Sequence, residues 1–422
     1  MRKELVGKRY RKRVIDERIE TVLRTFGGVV ITGPKWCGKS WTGIHHSKSA
    51  LLLDNPMTRE RALLFPEDVL AGPRPLLVDE WQNAPVLWDT ARRMIDFEDE
   101  RGMFIFTGSI TPPEDRIAHT GIGRFARVMM RPMSLYESGH SSGSVSLSKM
   151  FGGTDLIAGL SSHSMDEILT LICRGGWPSG LSLKDDDAFL IPIQYVNDIA
   201  ETDMDRIYGE RWLSGNIRKV LRSLARNNAT EARVSVLVTD VSSEGDSITA
   251  DTASKYLDIL KRMFIISEQE AWSPYLRSRT RVRTSPKRHF TDPSLAAAAL
   301  GATPSTLKKD PETAGFLFET LCYRDLCVYM ENSLGKVYHY RDESNLEVDC
   351  VLEGPGGKWA AVEVKMGYHD HKKASANLLA LKRKASGDAG EPAFLMILTA
   401  SGGAAHVNKD GVAVVPIDCL GP

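Results

Sequence analysis

The sequence predicts a multidomain α/β protein, and three observations carry that reading. A phosphate-loop pattern, Gly33-Pro34-Lys35-Trp36-Cys37-Gly38-Lys39-Ser40, follows directly on the β-branched run Val29–Thr32. Short apolar runs alternate with segments of helical periodicity through the first third of the chain. Near the other end, two charged strand-like stretches flank Gly354-Pro355-Gly356-Gly357. At 422 residues the chain exceeds what one hydrophobic core usually supports, so roughly two to four domains are expected.

Taken in order, Val14–Phe26 has apolar residues at helical spacing and Val29–Thr32 predicts a buried strand. Further apolar runs at Leu51–Leu53, Leu76–Val78, Met103–Phe106 and Phe125–Met129, with a helical segment at Val86–Phe97, predict a parallel sheet covered by helices. Ser138–Ser148, rich in serine and glycine, predicts a domain boundary. Helical patterning then runs from Met165 to Leu224. Asn216–Arg226, Val234–Val241 and Thr252–Met263, followed by the strand-like Phe264–Trp272, fit a winged helix-turn-helix. In the last third Phe316–Met330 predicts an amphipathic helix, and Val337–Arg341, Leu346–Glu353 and Lys358–Lys365 predict strands. A helix over Lys372–Lys384 and a buried strand over Ala393–Leu398 complete a small α/β domain.

Composition excludes several classes. With 42% hydrophobic and 26% charged residues the chain is neither disordered nor fibrous, and no apolar run approaches a membrane span. Charge continues through Glu20 where a secretory signal would need an apolar core, so the cytoplasm is the expected location. The 6 cysteines are scattered, without CxxC pairs or zinc-ligand spacing, and are expected as thiols. Net charge is zero, but Arg2–Arg18 and Arg277–His289 are both strongly basic.

The loop fits GxxxxGK[ST] in the strand-to-helix context that its chemistry requires. Glycines let backbone N–H groups converge on phosphates, and the next helix adds its positive dipole end. Lys39 is expected to reach the β- and γ-phosphates of ATP and Ser40 to ligate Mg²⁺, with Gly33 to Trp41 forming the cradle. The run Pro75–Val78 ends in Asp79-Glu80: Asp79 would hold Mg²⁺ through water, and Glu80 would orient the attacking water or cap the next segment. Thr107 and Ser109 end the next strand, to sense the γ-phosphate or to form a turn. Arg124, on a glycine-containing loop, fits an arginine finger or a surface ion pair, and a finger acting in trans would require a homo-oligomer.

Gly-Pro-Lys in the loop, Asp79-Glu80-Trp81-Gln82, Thr107-Gly108-Ser109 and Arg131-Pro132-Met133-Ser134-Leu135 together resemble the prokaryotic AAA-type ATPases joined to a C-terminal nuclease-fold domain of uncharacterised function. The resemblance covers nearly the whole chain. It implies an AAA-like P-loop NTPase core at 1–148 and a helical lid at 149–212 containing Arg174-Gly175-Gly176-Trp177-Pro178. It further implies a winged helix at 213–276 and a restriction-endonuclease-like α/β domain at 277–422.

Asp349 and Glu363-Val364-Lys365 fit the PD-(D/E)xK pattern of metal-dependent nucleases, except that Val348 stands where that pattern has proline. A hairpin centred on Gly356 places Asp349 opposite Glu363, because each lies seven residues from that midpoint, so both would share one Mg²⁺ or Mn²⁺. Lys365 falls on the same strand face as Glu363, where it would position water or stabilise charge. Glu319 matches the position where nuclease-fold families often place a further acidic residue. The bland alternative is that these charges mark the solvated face of a two-stranded ribbon.

Arg277, Arg279, Arg281 and Arg283 recur at every second residue, and Lys287 and Arg288 continue the charge. In an extended strand such a row suits a DNA phosphate backbone, or else it is a solvated interdomain connection. Lys8–Arg13 fits a disordered arm, a DNA contact or a subunit interface. The expected function is an ATPase coupling nucleotide state to DNA binding, with metal-dependent DNA cleavage as its extension. The alternative is a nucleotide-switched regulatory or scaffold protein that binds DNA or protein without cleaving it. Replacing Arg277, Arg279, Arg281 and Arg283 together with alanine should reduce the slope of log affinity for DNA against log salt by about 3 to 4. An unchanged slope in fluorescence-anisotropy titrations would exclude the row as a phosphate track.

Overall fold

The computed structural model describes residues 9–109, 121–153, 157–203, 214–243, 248–275, 285–367 and 370–422. The chain forms two compact units, one of residues 1–132 with 262–264 and the other of 133–261 with 265–422. Arg277, Arg279, Arg281 and Arg283 lie outside the described residues.

In the first unit five strands pair in parallel: β1 (Gly28–Thr32), β2 (Ser49–Leu52), β3 (Leu76–Asp79), β4 (Phe104–Gly108) and β5 (Phe125–Met129). Their order across the sheet is β2-β3-β4-β1-β5. Alternate residues of each strand supply opposite cores. Val29, Ile31, Leu77, Ile105 and Val128 enter one, while Val30, Leu76, Val78, Phe104 and Phe106 enter the other. A sheet covered on both faces needs continuous apolar runs, which is why these strands are plain in the sequence. The second of these cores is aromatic, with Trp88 stacked between Trp81 and Phe125 at centroid distances of 5.0 and 4.5 Å. Because all strands run one way, the residues after β1, β3 and β4 converge at one edge, where ligands bind in open α/β sheets.

The second unit begins earlier than the sequence suggests. The serine-rich stretch expected to be a boundary is built into it. Ser134 caps the helix Leu135–Ser138 in a capping box, and β6 (Val145–Ser146) runs parallel to β15 (Leu420–Gly421). Ser141 Oγ donates to the Leu420 carbonyl at 2.6 Å, and Ser142 N to the Asp418 carbonyl at 2.8 Å. Small hydroxyl side chains here satisfy the carboxyl-terminal strand rather than solvate a linker, a role that composition does not distinguish.

Helices Ser214–Arg226, Val234–Ser243 and Ala250–Arg262 precede an antiparallel ribbon of β7 (Ile266–Gln269) and β8 (Lys287–Phe290). This is the order of elements expected of a winged helix, although the second strand lies beyond the expected limit at 276. On the first of these helices Arg218 pairs with Glu201 and Arg226 with Asp240. Helix Pro293–Leu300, with Leu295, Ala296 and Ala297 fully buried, packs against Met165–Arg174, Leu190–Asp198 and Ser214–Arg226. Its alanines allow close approach, so the segments read as lid and winged helix share one helical layer with residues of the last third.

A six-stranded sheet completes the unit, in the order β13-β14-β12-β11-β10-β9. Its strands are β9 (Lys336–Arg341), β10 (Glu347–Glu353), β11 (Trp359–Lys365), β12 (Leu395–Thr399), β13 (His406–Val407) and β14 (Ala413–Pro416). Helices Pro311–Met330 and His371–Ala389 pack on it. The β10–β11 hairpin pairs Cys350 with Val362 and Val351 with Ala361, the register that Gly356 as midpoint requires.

One buried ion network joins these layers. Arg324, fully buried in the helix Pro311–Met330, bonds Asp292 Oδ2 at 2.8 Å and Asp325 Oδ1 at 2.7 Å. Asp292 also accepts from Gly176 N at 3.0 Å, and Asp325 from Leu135 N at 2.9 Å. Gly176 must be glycine, since a Cβ there would lie 2.1 Å from the Met133 carbonyl oxygen. The residues of the Arg-Gly-Gly-Trp-Pro and Arg-Pro-Met-Ser-Leu motifs thus meet at this network. Asp292→Ala leaves part of a buried guanidinium charge unpaired and should destabilise the second unit by about 3 to 5 kcal/mol. Urea unfolding followed by circular dichroism should show its transition at lower denaturant, with the transition of the first unit unmoved.

Candidate functional site

The phosphate loop has the backbone its motif demands. Gly33 (φ 150°) and Gly38 (φ 105°) lie where side-chain-bearing residues are strained, and a Cβ on Gly33 would meet the Met130 carbonyl oxygen at 2.1 Å. Gly38 precedes the helix Lys39–His46. Lys39 is buried, and its ammonium donates to the Pro34 carbonyl at 2.7 Å, inside the loop. Lys35 is half-buried, Cys37 is buried against the Met130 carbonyl, and Trp36 and Trp41 are exposed.

A chain of hydrogen bonds joins this loop to the acidic pair. The Ser40 hydroxyl bonds Asp79, and Thr107 Oγ1 donates to Asp79 Oδ1. Thr107 Oγ1 also accepts from Glu80 N at 3.3 Å. Glu80 Oε2 accepts from Ser109 Oγ at 3.1 Å and from Gln82 Nε2. Glu80 takes a left-handed backbone (φ 54°), which turns the chain directly after β3. Burial raises the Asp79 carboxyl above its usual range, and the hydroxyls of Thr107 and Ser40 oppose that shift. Thr107 is fully buried. It bonds both Asp79 and Glu80 from beneath, where the sequence offered a γ-phosphate sensor or a turn former.

The glycine cradle and the joined Ser40–Asp79 pair fit a nucleotide triphosphate with Mg²⁺. Arg124 does not serve the same loop as a finger. It precedes β5, whose first residue pairs with Gly28 and whose last pairs with Thr32, so it lies at the opposite edge of the sheet from the loop. The five residues of β5 separate the two edges, about 13 Å from first to last. Arg124 Nε bonds Asp96 Oδ1 at 2.7 Å instead, the ion-pair alternative.

Arg13 is a contributor that the sequence reading missed. Its buried guanidinium donates to the loop carbonyl of Cys37 at 2.9 Å and to the Arg131 carbonyl at 2.8 Å. Tyr10 bonds Asp16 Oδ1 at 2.6 Å, and Asp16 lies 3.0 Å from His46 on the helix after the loop. Arg13 is thus packed on the nucleotide loop and Tyr10 on the helix that follows it, so these two residues are not part of a disordered arm. The signal was the Arg13-to-Asp16 spacing, where Arg13 N caps back to Asp16 Oδ2 at 2.8 Å.

In the second unit the carboxylates converge around two lysines. Lys365 Nζ lies 3.2 Å from Asp349 Oδ2 and 2.6 Å from Glu363 Oε2. Asp349 Oδ2 also accepts from Val364 N at 2.8 Å, and Glu363 Oε1 from Asn377 Nδ2 at 3.1 Å. A one-residue bulge between Val348 and Val351 against β9 re-aims Asp349. Lys287 departs from the expected basic row. It is buried, with Nζ 3.0 Å from Glu319 Oε1, 2.9 Å from Glu347 Oε1 and 3.8 Å from Asp349 Oδ1. Pairing of Gln269 with Lys287 in the ribbon points it inward, as it does His289 two residues on. Arg288 points the other way but bonds Glu268 and the Ala232 carbonyl, so neither side chain is an open phosphate contact.

Electrostatics follow from this arrangement. Burial and the nearby Asp349 push Glu363 up to about 7. Burial likewise pushes Glu319 up to about 7, with Lys287 opposing it. Burial works against the Asp349 carboxylate, yet Lys365 and Lys287 hold it below its usual range. A divalent ion sharing these oxygens would sit about 4 Å from an ammonium, opposed by roughly 8 kcal/mol at an effective dielectric of 20. Glu319, Asp349 and Glu363 as arranged do not fit the Mg²⁺ or Mn²⁺ expected there, because Lys287 and Lys365 already supply the positive charge. Among the described residues, no group of three or more His, Cys, Asp and Glu side chains is arranged to hold a metal ion.

Comparison with known proteins agrees with the first unit. Residues 26–139 match the model of an AAA domain, so this unit contains an AAA-type P-loop domain of the ATPase class. Residues 165–306 and 314–420 match two domains of unknown function, DUF8612 and DUF4143. No curated protein matches the chain. Among solved structures, the Walker-type ATPase of Pyrococcus abyssi is similar over 68% of this chain and 95% of its own, at 12% identity and a TM-score of 0.42. AMPPCP-bound DnaA from Aquifex aeolicus is similar over 59% and 86%, at 12% identity and a TM-score of 0.26. The ORC1 protein of Aeropyrum pernix in complex with DNA is similar over 71% and 92%, at 13% identity and a TM-score of 0.22. Among the described residues no helix is long and apolar enough to cross a membrane.

Thr107→Val should lower kcat for nucleotide hydrolysis about 10- to 100-fold, since it removes a hydrogen bond to a carboxylate and one to the Glu80 backbone. Nucleotide affinity should change far less, and steady-state kinetics beside equilibrium binding separates the two.

Proposed function

We propose that the protein is a nucleotide-switched ATPase: it binds ATP with Mg²⁺, hydrolyses it, and uses nucleotide state to set how its second unit engages DNA. The observation that carries the proposal is the hydrogen-bonded chain from Ser40 through Asp79 and Thr107 to Glu80 and Ser109, at the carboxyl ends of β1, β3 and β4. Phosphoryl transfer depends mainly on positioning and charge stabilisation, and these residues supply both.

Each has a role consistent with its place. Lys39 exchanges the Pro34 carbonyl for phosphate oxygens when nucleotide enters. Ser40 and Asp79 would hold Mg²⁺, which supplies positive charge to the triphosphate when bound. Glu80 accepts a proton from the attacking water, oriented by Ser109 and Gln82. Engagement of DNA rests on the basic residues Arg277, Arg279, Arg281 and Arg283 and on three helices followed by a ribbon, an arrangement used by DNA-binding modules. Metal-dependent cleavage does not follow from this arrangement, because Lys287 lies among the carboxylates that would hold the ion.

Glu80→Gln should lower ATP turnover about 100-fold or more while retaining ATP affinity, and Lys39→Ala should weaken ATP binding about 100-fold. Exposed Trp36 and Trp41 make tryptophan fluorescence a direct readout of nucleotide binding. ATP affinity unaltered by Lys39→Ala would sink the assignment. ATPase rates and anisotropy with labelled duplex, in ATP and in ADP, test the coupling; DNA affinity identical in both nucleotides would sink that half.

A further inference from the structure

We propose that Lys287 is the resident cation of the second unit's carboxylate cluster, which makes this site independent of divalent metal, and that removing its ammonium opens a metal site. The inference is independent of the nucleotide reading.

The geometry is that of a filled cation position. The ammonium of Lys287 has three N–H groups, and three carboxylates from two elements face it: Glu319 from the helix Pro311–Met330, and Glu347 and Asp349 from β10. The lysine is held there by more than charge. Gln269, its partner in the ribbon, donates to the Asp349 carbonyl at 2.9 Å and to the Tyr338 carbonyl at 2.9 Å. His289, on the same face of β8, lies 3.0 Å from Gln269 Oε1 and 2.9 Å from Thr320 Oγ1, one residue beyond Glu319. The ribbon is thus bolted to both carboxylate-bearing elements. Lys287 is delivered by backbone register rather than by a flexible side chain reaching inward.

Lys365 completes the neutralisation on the other side of Asp349, where it bridges to Glu363. A carboxylate oxygen engaged by a buried ammonium exchanges it for a hydrated metal ion only by leaving that ammonium without its partners, so the lysine and the ion compete for one place. Removal of Lys287 leaves Glu319, Glu347 and Asp349 as hard oxygen donors suited to Mg²⁺ or Mn²⁺.

The test uses the full chain without nucleotide, titrated with Mn²⁺ and followed by the electron paramagnetic resonance of the free ion. Wild type and Asp349→Asn should bind Mn²⁺ alike up to 1 mM added ion (on the order of millimolar weakness for an unbuilt carboxylate site). Lys287→Met should gain one site at least about 10-fold tighter, and the Lys287→Met, Asp349→Asn double variant should lose it. Lys287→Gln is the parallel variant should methionine impair folding, as judged by circular dichroism. A second readout needs no lysine variant: the thermal midpoint of the wild-type second unit should be the same in Mn²⁺ and in chelator. A Mn²⁺ site or a Mn²⁺-dependent rise in that midpoint in wild type, abolished by Asp349→Asn, overturns the proposal. So does the absence of any Asp349-dependent site in folded Lys287→Met and Lys287→Gln.

Discussion

The second unit depends on one buried ion network, the bidentate reach of Arg324 to Asp292 and Asp325. Three charges are removed from water there, and the cost is met only because other donors complete each carboxylate. Those donors are backbone N–H groups of Gly176 and Leu135, so the network fixes chain segments far apart in sequence as well as side chains. Ser294 contributes too, since both its N–H and its hydroxyl bond Asp292 and so start the helix Pro293–Leu300. A network of this kind gives little net stability over an apolar core of equal volume. What it does supply is a single permitted arrangement of the helical layer against the Pro311–Met330 helix.

The P-loop unit was legible because its physics is local. Five buried parallel strands need apolar runs, a phosphate cradle needs glycines at fixed offsets, and an acidic pair must follow a strand. Each leaves a trace in neighbouring residues, and the strands lie within a residue or two of where the runs place them. The misplaced features are those that depend on strand direction or on distant partners. Arg124 reads from its loop alone as a finger or an ion pair, and only its place before β5 shows that it does not reach the nucleotide loop of its own chain. Arg13 looks like part of a charged tail until its two carbonyl acceptors are seen.

The carboxylate cluster shows the same division. Asp349, Glu363 and Lys365 were found from spacing, because a hairpin midpoint fixes register. Lys287 looks in the sequence like one more member of a basic row, since its inward orientation follows from pairing with Gln269, a partner that sequence does not announce. The serine-rich stretch Ser138–Ser148 looks like a linker for a related reason: hydroxyl side chains that complete a distant strand have the same composition as those that solvate a linker.

The clamp made by Arg13 has a practical side. A nucleotide loop is usually treated as complete in its eight motif residues, and the segment ahead of the helix Asp16–Thr25 as dispensable. Here the carbonyl of Cys37, in the middle of that loop, is held by a side chain three residues ahead of Asp16. Trimming the chain back to the helix Asp16–Thr25 would leave every motif residue in place and still release the loop from its anchor. A fragment designed from the motif alone would therefore carry an intact signature and an altered nucleotide cradle.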